Sequence, residues 1–340
     1  MGIHDRLLAA WYAPRVTPLA AALAPLSWLF RALVALRRFL YRAGVMRPQR
    51  VPVPVVVVGN VTAGGAGKTP LVIALAHALA AAGRHPGLVS RGYGGSPDGA
   101  REVRTGDEAA VVGDEPLLLA ASGHPTFVGR DRAAAARALL AAHPACDVVV
   151  CDDGLQHYAL ARDVEIAVVD GSRGLGNGML LPAGPLREPA ARLDEVDAVV
   201  WLVDASAARA PAPHGARDTA MTHEAAGWRN LADPHRAVDP AAWRGRRVHA
   251  VAGIGNPRRF FALLASLGVD AVPHAFPDHH RFVPADLALP GAEVVVMTAK
   301  DAVKCAAFAD ERCHALDIRA RIDPALAALV LERLDGRQAA

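Results

Sequence analysis

The stretch GNVTAGGAGKTP, residues 59–70, contains the residue types that hold a nucleoside triphosphate. Gly67, Lys68 and Thr69 match the end of the pattern G-x-x-x-x-G-K-[ST], in which backbone amides surround phosphate oxygens, the lysine reaches the outer phosphates and the hydroxyl binds Mg²⁺. Thr62 stands where the pattern has its first glycine. The stretch therefore predicts a phosphate-binding loop with one departure, and a purely structural turn is the alternative.

A second strand with acids at its end favours the phosphate loop. In CDVVVCDDGLQH, residues 146–157, an apolar run is followed by Asp152 and Asp153. A carboxylate placed there in a phosphoryl-transfer protein binds Mg²⁺ directly or through water. We therefore predict a Mg²⁺ site formed by Thr69, Asp152 and Asp153. In the alternative, Asp153 polarises a water or orients Gln156 and His157. The predicted ATP-binding residues are those of the loop: Thr62, Ala63, Gly64, Gly65, Ala66, Gly67, Lys68 and Thr69.

The segments around the loop predict the elements that position it. Residues 55–58 are four consecutive valines, which suit a strand buried on both faces. Residues 71–82 are rich in alanine and leucine and end at Gly83, as expected for a helix. A strand, a glycine-rich loop and a helix in this order direct backbone N–H groups and a helix N-terminus toward a phosphate.

Repeated units of this kind predict the fold class and the division of the chain into domains. Apolar runs that end in an acid alternate with helical segments, which indicates an α/β fold with a parallel sheet and a site at the strand C-termini. We predict a P-loop NTPase-type domain over 51–204, a linker with short strands over 205–244, and a second, smaller α/β domain over 245–340. In the second domain GIGNP has no Gly-Lys, so a second nucleotide site is not predicted.

Composition excludes several classes of protein. The chain has 340 residues, a net charge of +3 and dispersed arginines, which does not indicate a nucleic-acid partner. Its four cysteines form no CxxC pair and have no zinc-site spacing, so we predict a reducing compartment and no disulfides. No obligate protein partner is indicated.

The N-terminal region, residues 1–50, has a different composition. An uncharged apolar stretch, residues 16–30, is flanked by arginines and is shorter than the ~20 residues of a spanning helix. Aromatic rings and arginines accompany it, which predicts amphipathic helices lying in a membrane surface. A helical pair packed on the main domain and a transmembrane span are the alternatives.

Together with other conspicuous loops, these segments form a set of motifs that resembles the motifs of a known protein family. The set consists of GNVTAGGAGKTP, SRGYG, GDEP, DDGLQH, GNGMLLPAGPLRE, AGIGNPRRFF, DHH and KDAVKC. In this order, and over the chain to about Asp317, it resembles the tetraacyldisaccharide 4′-kinase family, in which threonine or serine is ordinary at the position of Thr62. The usual T-E-K-D of the family is T-A-K-D here, which leaves the role of that glutamate in doubt.

The resemblance implies a specific reaction and location. The γ-phosphate of ATP would pass to the 4′-hydroxyl of an acylated glucosamine disaccharide 1-phosphate lipid, with Mg²⁺ as cofactor. The product would be the bis-phosphorylated lipid A precursor. The enzyme would lie peripherally on the cytoplasmic face of the bacterial inner membrane.

The resemblance also assigns two catalytic residues in addition to Lys68. Asp114 of GDEP would be the base that removes the proton of the acceptor hydroxyl, and His279 of DHH would be its partner. His280 is the alternative to His279, and by its neighbours alone Asp114 is typical of a helix cap. The two residues would come from different domains, so that domain closure assembles the pair.

Four residues are candidates for acceptor binding. Arg187 and Glu188 end the segment LPAGPLRE, and a planar guanidinium suits phosphate recognition, while a surface ion pair is the alternative. Arg91 and Tyr93 of SRGYG are further candidates for the acceptor groove. The competing functions are a membrane-associated P-loop ATPase switch without a lipid product and a non-catalytic nucleotide-binding scaffold.

Overall fold

The computed structural model describes residues 3–95, 99–203, 218–233 and 235–338. Twelve strands and ten α-helices lie within these ranges. The strands are β1 (Val55–Gly59), β2 (Pro86–Ser90), β3 (Arg101–Glu102), β4 (Thr126–Val128), β5 (Val148–Asp152), β6 (Val164–Asp170), β7 (Ala198–Val203), β8 (Asp218–Asn230), β9 (Val248–Ala252), β10 (Ala271–Ala275), β11 (Val294–Thr298) and β12 (Cys313–Ile322). The helices are α1 (Ile3–Trp11), α2 (Pro18–Arg42), α3 (Lys68–Ala81), α4 (Ala109–Val112), α5 (Asp114–Ala121), α6 (Arg132–Ala142), α7 (Pro257–Ser266), α8 (Pro284–Leu287), α9 (Ala299–Cys305) and α10 (Pro324–Gln338).

The strands form one sheet in the order β10-β9-β11-β12-β8-β7-β6-β1-β5-β2-β4-β3. Its pairs are parallel except for β12–β8 and β3–β4. The prediction of an α/β fold built on a largely parallel sheet is therefore confirmed. We call residues 51–203 the first half and residues 245–322 the second half.

Strand β1 lies in the middle of the first half, between β5 and β6. All five of its residues are buried, as its run of valines predicts for a central parallel strand. Val58 is in register with Asp152 of β5. The phosphate loop and the acid at the end of β5 therefore emerge at the same edge of the sheet.

Strand β8 joins the two halves. It is 13 residues long and pairs in parallel with β7 and antiparallel with β12. Short strands were predicted within the linker 205–244; one long strand forms instead, because it has a hydrogen-bonding neighbour on each side. Residues 204–217 of that linker lie outside the described residues.

The C-terminal helix α10 packs on the first half. Leu326, Val330 and Leu334 belong to the same buried cluster as Leu71 and Leu75 of α3. The predicted domain 245–340 assigned this helix to the second half, and its apolar face instead covers the helix that follows the phosphate loop. The remaining domain boundaries stay a prediction.

Helix α2 leaves much of its apolar surface uncovered. It begins after Thr17, whose hydroxyl accepts a hydrogen bond from Ala20 N, and it continues through Arg31 to Arg42. The helix is therefore longer than its uncharged stretch, and by length and composition only it is the one described helix that could cross a membrane. Five leucines with exposed side chains form what we call the apolar face of α2: Leu19, Leu26, Leu29, Leu33 and Leu36.

Candidate active site

The phosphate loop has the backbone that its glycines predict. Gly64 and Gly67 have φ of +98° and +85°, a region that L side chains rarely adopt. Thr62 is not among the residues with positive φ, so a β-branched side chain is acceptable where the common pattern has glycine. Thr62 is buried and forms a bridge with Leu186. The departure from the common pattern therefore carries no conformational cost.

Lys68, the first residue of α3, is buried in the loop. Its Nζ lies 3.2 Å from Asn60 Oδ1 and 3.4 Å from Asp153 Oδ1. The Asn60 side chain also donates to the Gly64 carbonyl at 3.3 Å. Asn60 therefore ties the lysine to the loop. Sequence reasoning missed this residue, although a polar residue directly after a strand of valines is a signal that could have identified it.

Thr69 and Asp152 meet as the sequence predicts. Thr69 Oγ1 donates to Asp152 Oδ2 at 2.8 Å, and Asp152 is fully buried. Burial raises the pKa of Asp152 to about 7, and the neighbouring Glu115 carboxylate adds to the rise. Asp152 Oδ1 has no hydrogen-bond partner among the residues that the structure describes. A buried carboxylate oxygen without a partner, beside a threonine hydroxyl, fits a divalent cation.

Asp153 is surrounded by positively charged side chains, and its role as a Mg²⁺ ligand stays a prediction. Besides Lys68 it contacts Arg187, whose Nη1 lies 3.2 Å from its Oδ1. Burial opposes ionisation, but Lys68, Arg187 and Arg132 outweigh it and hold the pKa of Asp153 well below its ordinary value. Its φ of +51° is unusual for a residue with a side chain. Such conformations concentrate at functional sites.

Asp114 and His279 are brought together from the two halves. His279 Nδ1 lies 3.1 Å from Asp114 Oδ2, although the residues are 165 positions apart. Burial opposes ionisation of Asp114, but the hydrogen bond to His279 and the charge of Lys300 prevail, so the pKa of Asp114 lies below its ordinary value. His279 has φ of +58°; with Asp153 it makes up the non-glycine residues with positive φ in the described chain.

The contacts of Asp114 and His280 decide between the alternatives given for this pair, which are a helix cap at Asp114 and His280 in place of His279. Gly113 is the N-cap of α5, and Asp114 is the first helical residue, with its Oδ1 accepting from Glu115 N at 2.9 Å. His280 lies 2.9 Å from Asp286 Oδ2 instead. The structure therefore places His279, and not His280, beside Asp114. Their catalytic roles stay a prediction.

The acceptor candidates fall in two places. The ring centroid of Tyr93 lies 4.6 Å from that of His279. Arg91, two residues before Tyr93 in the chain, is exposed to solvent. Arg187 contacts Asp153, whereas Glu188 is buried and accepts from Gln156 Nε2 at 3.0 Å and from the Tyr158 hydroxyl. Glu188 is thus not part of a surface ion pair.

The N-terminal helices hold the segment that leads to Arg187. Trp11 Nε1 donates to the Pro182 carbonyl at 2.8 Å. The buried Ser27 hydroxyl donates to the Leu180 carbonyl and accepts from Ala183 N at 3.1 Å. The segment 173–188 is therefore attached to the helices that carry the apolar face of α2.

The GIGNP turn of the second half lies against the phosphate loop. A Cβ atom added to Gly255 would stand 2.5 Å from Gly65 N and 3.0 Å from Gly65 Cα. Because both neighbours are backbone atoms of the loop, neither can rotate away. The GIGNP turn was not predicted to bind a nucleotide itself. It packs instead on the phosphate loop, where the nucleotide site is predicted.

We expect Gly255→Ala to weaken ATP binding about tenfold or more. The added methyl group would separate the two backbones, and overpacking of this kind costs about 1–3 kcal/mol. Isothermal calorimetry with ATP measures the effect. Gly227→Ala is the matched control, because a Cβ at Gly227 meets nothing within 4 Å. Equal affinities of the two variants would contradict the prediction.

The chain matches a family of known proteins over nearly its whole length. The family model described as tetraacyldisaccharide-1-P 4′-kinase matches residues 19–335. A tetraacyldisaccharide 4′-kinase of Azoarcus sp. (strain BH72) is 57% identical over 93% of this chain and 92% of its own length. The protein of the same name from Chromobacterium violaceum is 51% identical over 95% of this chain and 96% of its own.

A solved structure shares the fold as well. The LpxK of Aquifex aeolicus, in an "apo" form in complex with ATP, superposes with a TM-score of 0.75 and 29% identity. The match covers 93% of this chain and 99% of that one. Together with the assembled phosphate loop and the sequence matches, this shows that the chain belongs to the tetraacyldisaccharide-1-P 4′-kinase family.

Proposed function

We propose that the protein transfers the γ-phosphate of ATP to the 4′-hydroxyl of tetraacyldisaccharide 1-phosphate, which yields the 1,4′-bisphosphate. The observation that carries the proposal is the presence of three side-chain pairs in a member of this family. They are Lys68 with Asn60, Thr69 with Asp152, and Asp114 with His279. These pairs supply a phosphate cradle, a cation site and a base, which are the parts that phosphoryl transfer requires.

ATP would be held by the amides of the phosphate loop and by Lys68. The lysine would neutralise charge on the outer phosphates, because its ammonium is buried and already directed by Asn60. Thr69 and Asp152 would hold Mg²⁺, with Asp152 Oδ1 as the direct ligand. When bound, that ion would neutralise the phosphate charge that develops during transfer.

Asp114 would take the proton of the 4′-hydroxyl. Its lowered pKa keeps it ionised at neutral pH, so it can accept a hydrogen bond from the acceptor. The hydrogen bond to His279 would orient the carboxylate, because the histidine is fixed by the second half. Since these groups come from both halves, approach of the halves would assemble the site and exclude water.

The acceptor would lie between this pair and the membrane-facing helices. Tyr93 and Arg91 would bound the sugar on the His279 side, and Arg187 would meet its 1-phosphate. Glu188 is buried, so it would act on the acceptor through Tyr158 and Gln156, which it holds. The attachment of 173–188 to α1 and α2 supports an acceptor whose acyl chains remain in the bilayer.

We further propose that the protein is peripheral, at the cytoplasmic face of the bacterial inner membrane. The leucines of the apolar face follow helical spacing and expose about half of their side-chain surface. The opposite side of α2 is fixed to the protein through Ser27. A helix bound along one side and apolar on the other suits insertion into the interface.

We expect Leu29→Asp combined with Leu33→Asp to weaken binding to phospholipid vesicles at least about tenfold, since each buried leucine contributes about 1.5–3 kcal/mol. Vesicle co-sedimentation measures the loss. Leu267→Asp is the control, because Leu267 is an exposed leucine at the end of α7, outside the apolar face of α2. Undiminished sedimentation of the double variant would exclude the apolar face as the membrane contact.

Radiolabelled ATP with the disaccharide 1-phosphate lipid in detergent micelles distinguishes this function from an ATPase switch. The proposal requires label in the lipid, dependence on added Mg²⁺, and loss of transfer with EDTA. The alternative function requires release of inorganic phosphate at a rate that is independent of the lipid. Acceptor-independent hydrolysis without labelled lipid would refute the proposed transfer.

A further inference from the structure

Lys300 of the TAKD segment has its ammonium group buried between the two halves. Its Nζ lies 3.0 Å from Glu115 Oε1 and 3.8 Å from Asp114 Oδ2 of the first half. It lies 3.6 Å from Asp278 Oδ1 and 3.5 Å from His279 Nε2 of the second half. The net effect of the surrounding carboxylates outweighs burial and raises the pKa of Lys300, so it is a permanent cation.

We propose that Lys300 is a positioning residue that selects the tautomer of His279 and so directs a ring N–H at Asp114. The inference rests on the proposed function of this pair. An ammonium group has three donors and no acceptor, so beside His279 Nε2 it can only donate. Nε2 of the neutral ring then carries the lone pair, and the proton is on Nδ1, 3.1 Å from Asp114 Oδ2.

The carboxylate that could favour the other tautomer is farther from the ring than Lys300. Asp278 Oδ1 lies 3.8 Å from His279 Nε2, whereas Lys300 Nζ lies 3.5 Å from it. The Tyr93 ring packs against the imidazole ring, with 4.6 Å between the two centroids. The contacts around His279 thus favour one arrangement, in which Lys300 donates to the ring and the ring donates to Asp114.

Lys300 also sets the charge around the base. The cations facing Asp114 are His279 when protonated, Lys300 and Lys304, and the anion beside it on α5 is Glu115. Lys304 has a closer partner, Asp301 at 2.7 Å. Removal of Lys300 would take away a cation near Asp114 and leave Glu115 without its 3.0 Å partner. Both changes favour the protonated form of Asp114.

A merely structural role would consist of holding the halves together. The chain offers a matched case, because Arg259 of α7 also crosses between the halves, with Nη2 2.5 Å from Asp170 Oδ1. Its Nη2 donates to Asp170 and lies 3.2 Å from the Ser172 hydroxyl, and neither residue belongs to the Asp114–His279 pair. Arg259→Met therefore removes a cross-half ion pair without changing the surroundings of the base.

The first test is the pH dependence of kcat/KM for the lipid acceptor in the wild type, Lys300→Met, Lys300→Arg and Arg259→Met. We expect the acid limb of Lys300→Met to lie about 1 pH unit higher, as for loss of an opposite charge at this distance. In Lys300→Arg the acid limb should return most of the way to its wild-type pH. Arg259→Met should lower the rate without moving the acid limb. An unmoved limb in Lys300→Met, or an equal displacement in Arg259→Met, would overturn the inference.

The second test reads the tautomer directly in the wild-type protein. With ¹⁵N-labelled histidine, and His279→Gln for assignment, NMR at a pH where the ring is neutral should show Nε2 of His279 unprotonated. Protonation on Nε2 in the neutral ring would overturn the inference. This measurement needs neither a lipid acceptor nor a folded Lys300→Met variant. A wild type that labels no lipid would refute the proposed function, and the tautomer would still decide the role of Lys300.

Discussion

Replacement of Lys68 by alanine is expected to lower the rate of phosphoryl transfer at least about 100-fold, since loss of one charged group that stabilises the transition state typically costs this much. The ammonium of Lys68 is buried and lies 3.2 Å from Asn60 Oδ1, so its direction is set before a phosphate arrives. Transfer of label from ATP to the lipid, with both substrates saturating, measures the change.

The fold should tolerate this substitution, because Asp153 keeps Arg187 as a partner when Lys68 is removed. Arg319→Ala is the control for loss of a positive charge, since Arg319 is exposed and pairs with Glu224 on the sheet. Its rate should equal that of the wild type. A Lys68→Ala protein that melts at the wild-type temperature and transfers phosphate normally would contradict the proposed phosphate cradle.

Asp114→Asn is the second substitution with a large expected effect, again at least about 100-fold in kcat, as for loss of a general base. The amide has nearly the same shape as the carboxylate but cannot accept a proton. Because Asp114 is outside the phosphate loop, we expect calorimetric affinity for ATP to remain within a few-fold of the wild type. The measurements are therefore the transfer rate and the ATP affinity, made on the same preparation.

The protein contains its own control for this variant. Asp286 and His280 form a second carboxylate–histidine pair at 2.9 Å, adjacent in sequence to the proposed dyad. Asp286→Asn changes the same atoms in a pair that does not include Asp114, so it should retain near wild-type transfer. If Asp114→Asn and Asp286→Asn were equally active, the base would have to be another residue.

The residues alone were sufficient to predict the phosphate loop and the elements beside it. The valines of β1, the glycines that adopt positive φ, and the alanine-leucine pattern of α3 act within about 30 residues of one another. Asp152 was also predictable, because a carboxylate directly after an apolar strand emerges at the carboxyl edge of a parallel sheet. Backbone propensity and side-chain periodicity are local properties, and a single sequence displays them.

Contacts between distant segments were not predictable in the same way. The proposed role of Asp114 came from the resemblance, since its neighbours alone are typical of a helix cap. The pairing of Arg187 with Asp153 and the burial of Glu188 had no local signal. The packing of α10 on α3 also escaped the linear division into domains, because a helix can cover any exposed apolar face that the chain can reach.

The sequence by itself determined that a phosphate loop, an acid at the end of the neighbouring strand and an apolar N-terminal helix are present. The tertiary structure decided which distant groups meet: His279 with Asp114, Lys300 with both, and Gly255 with the loop. The physical reason is that these contacts depend on the order of twelve strands and on the long β8–β12 pair, which brings the second half against the first. No spacing along the chain encodes that approach.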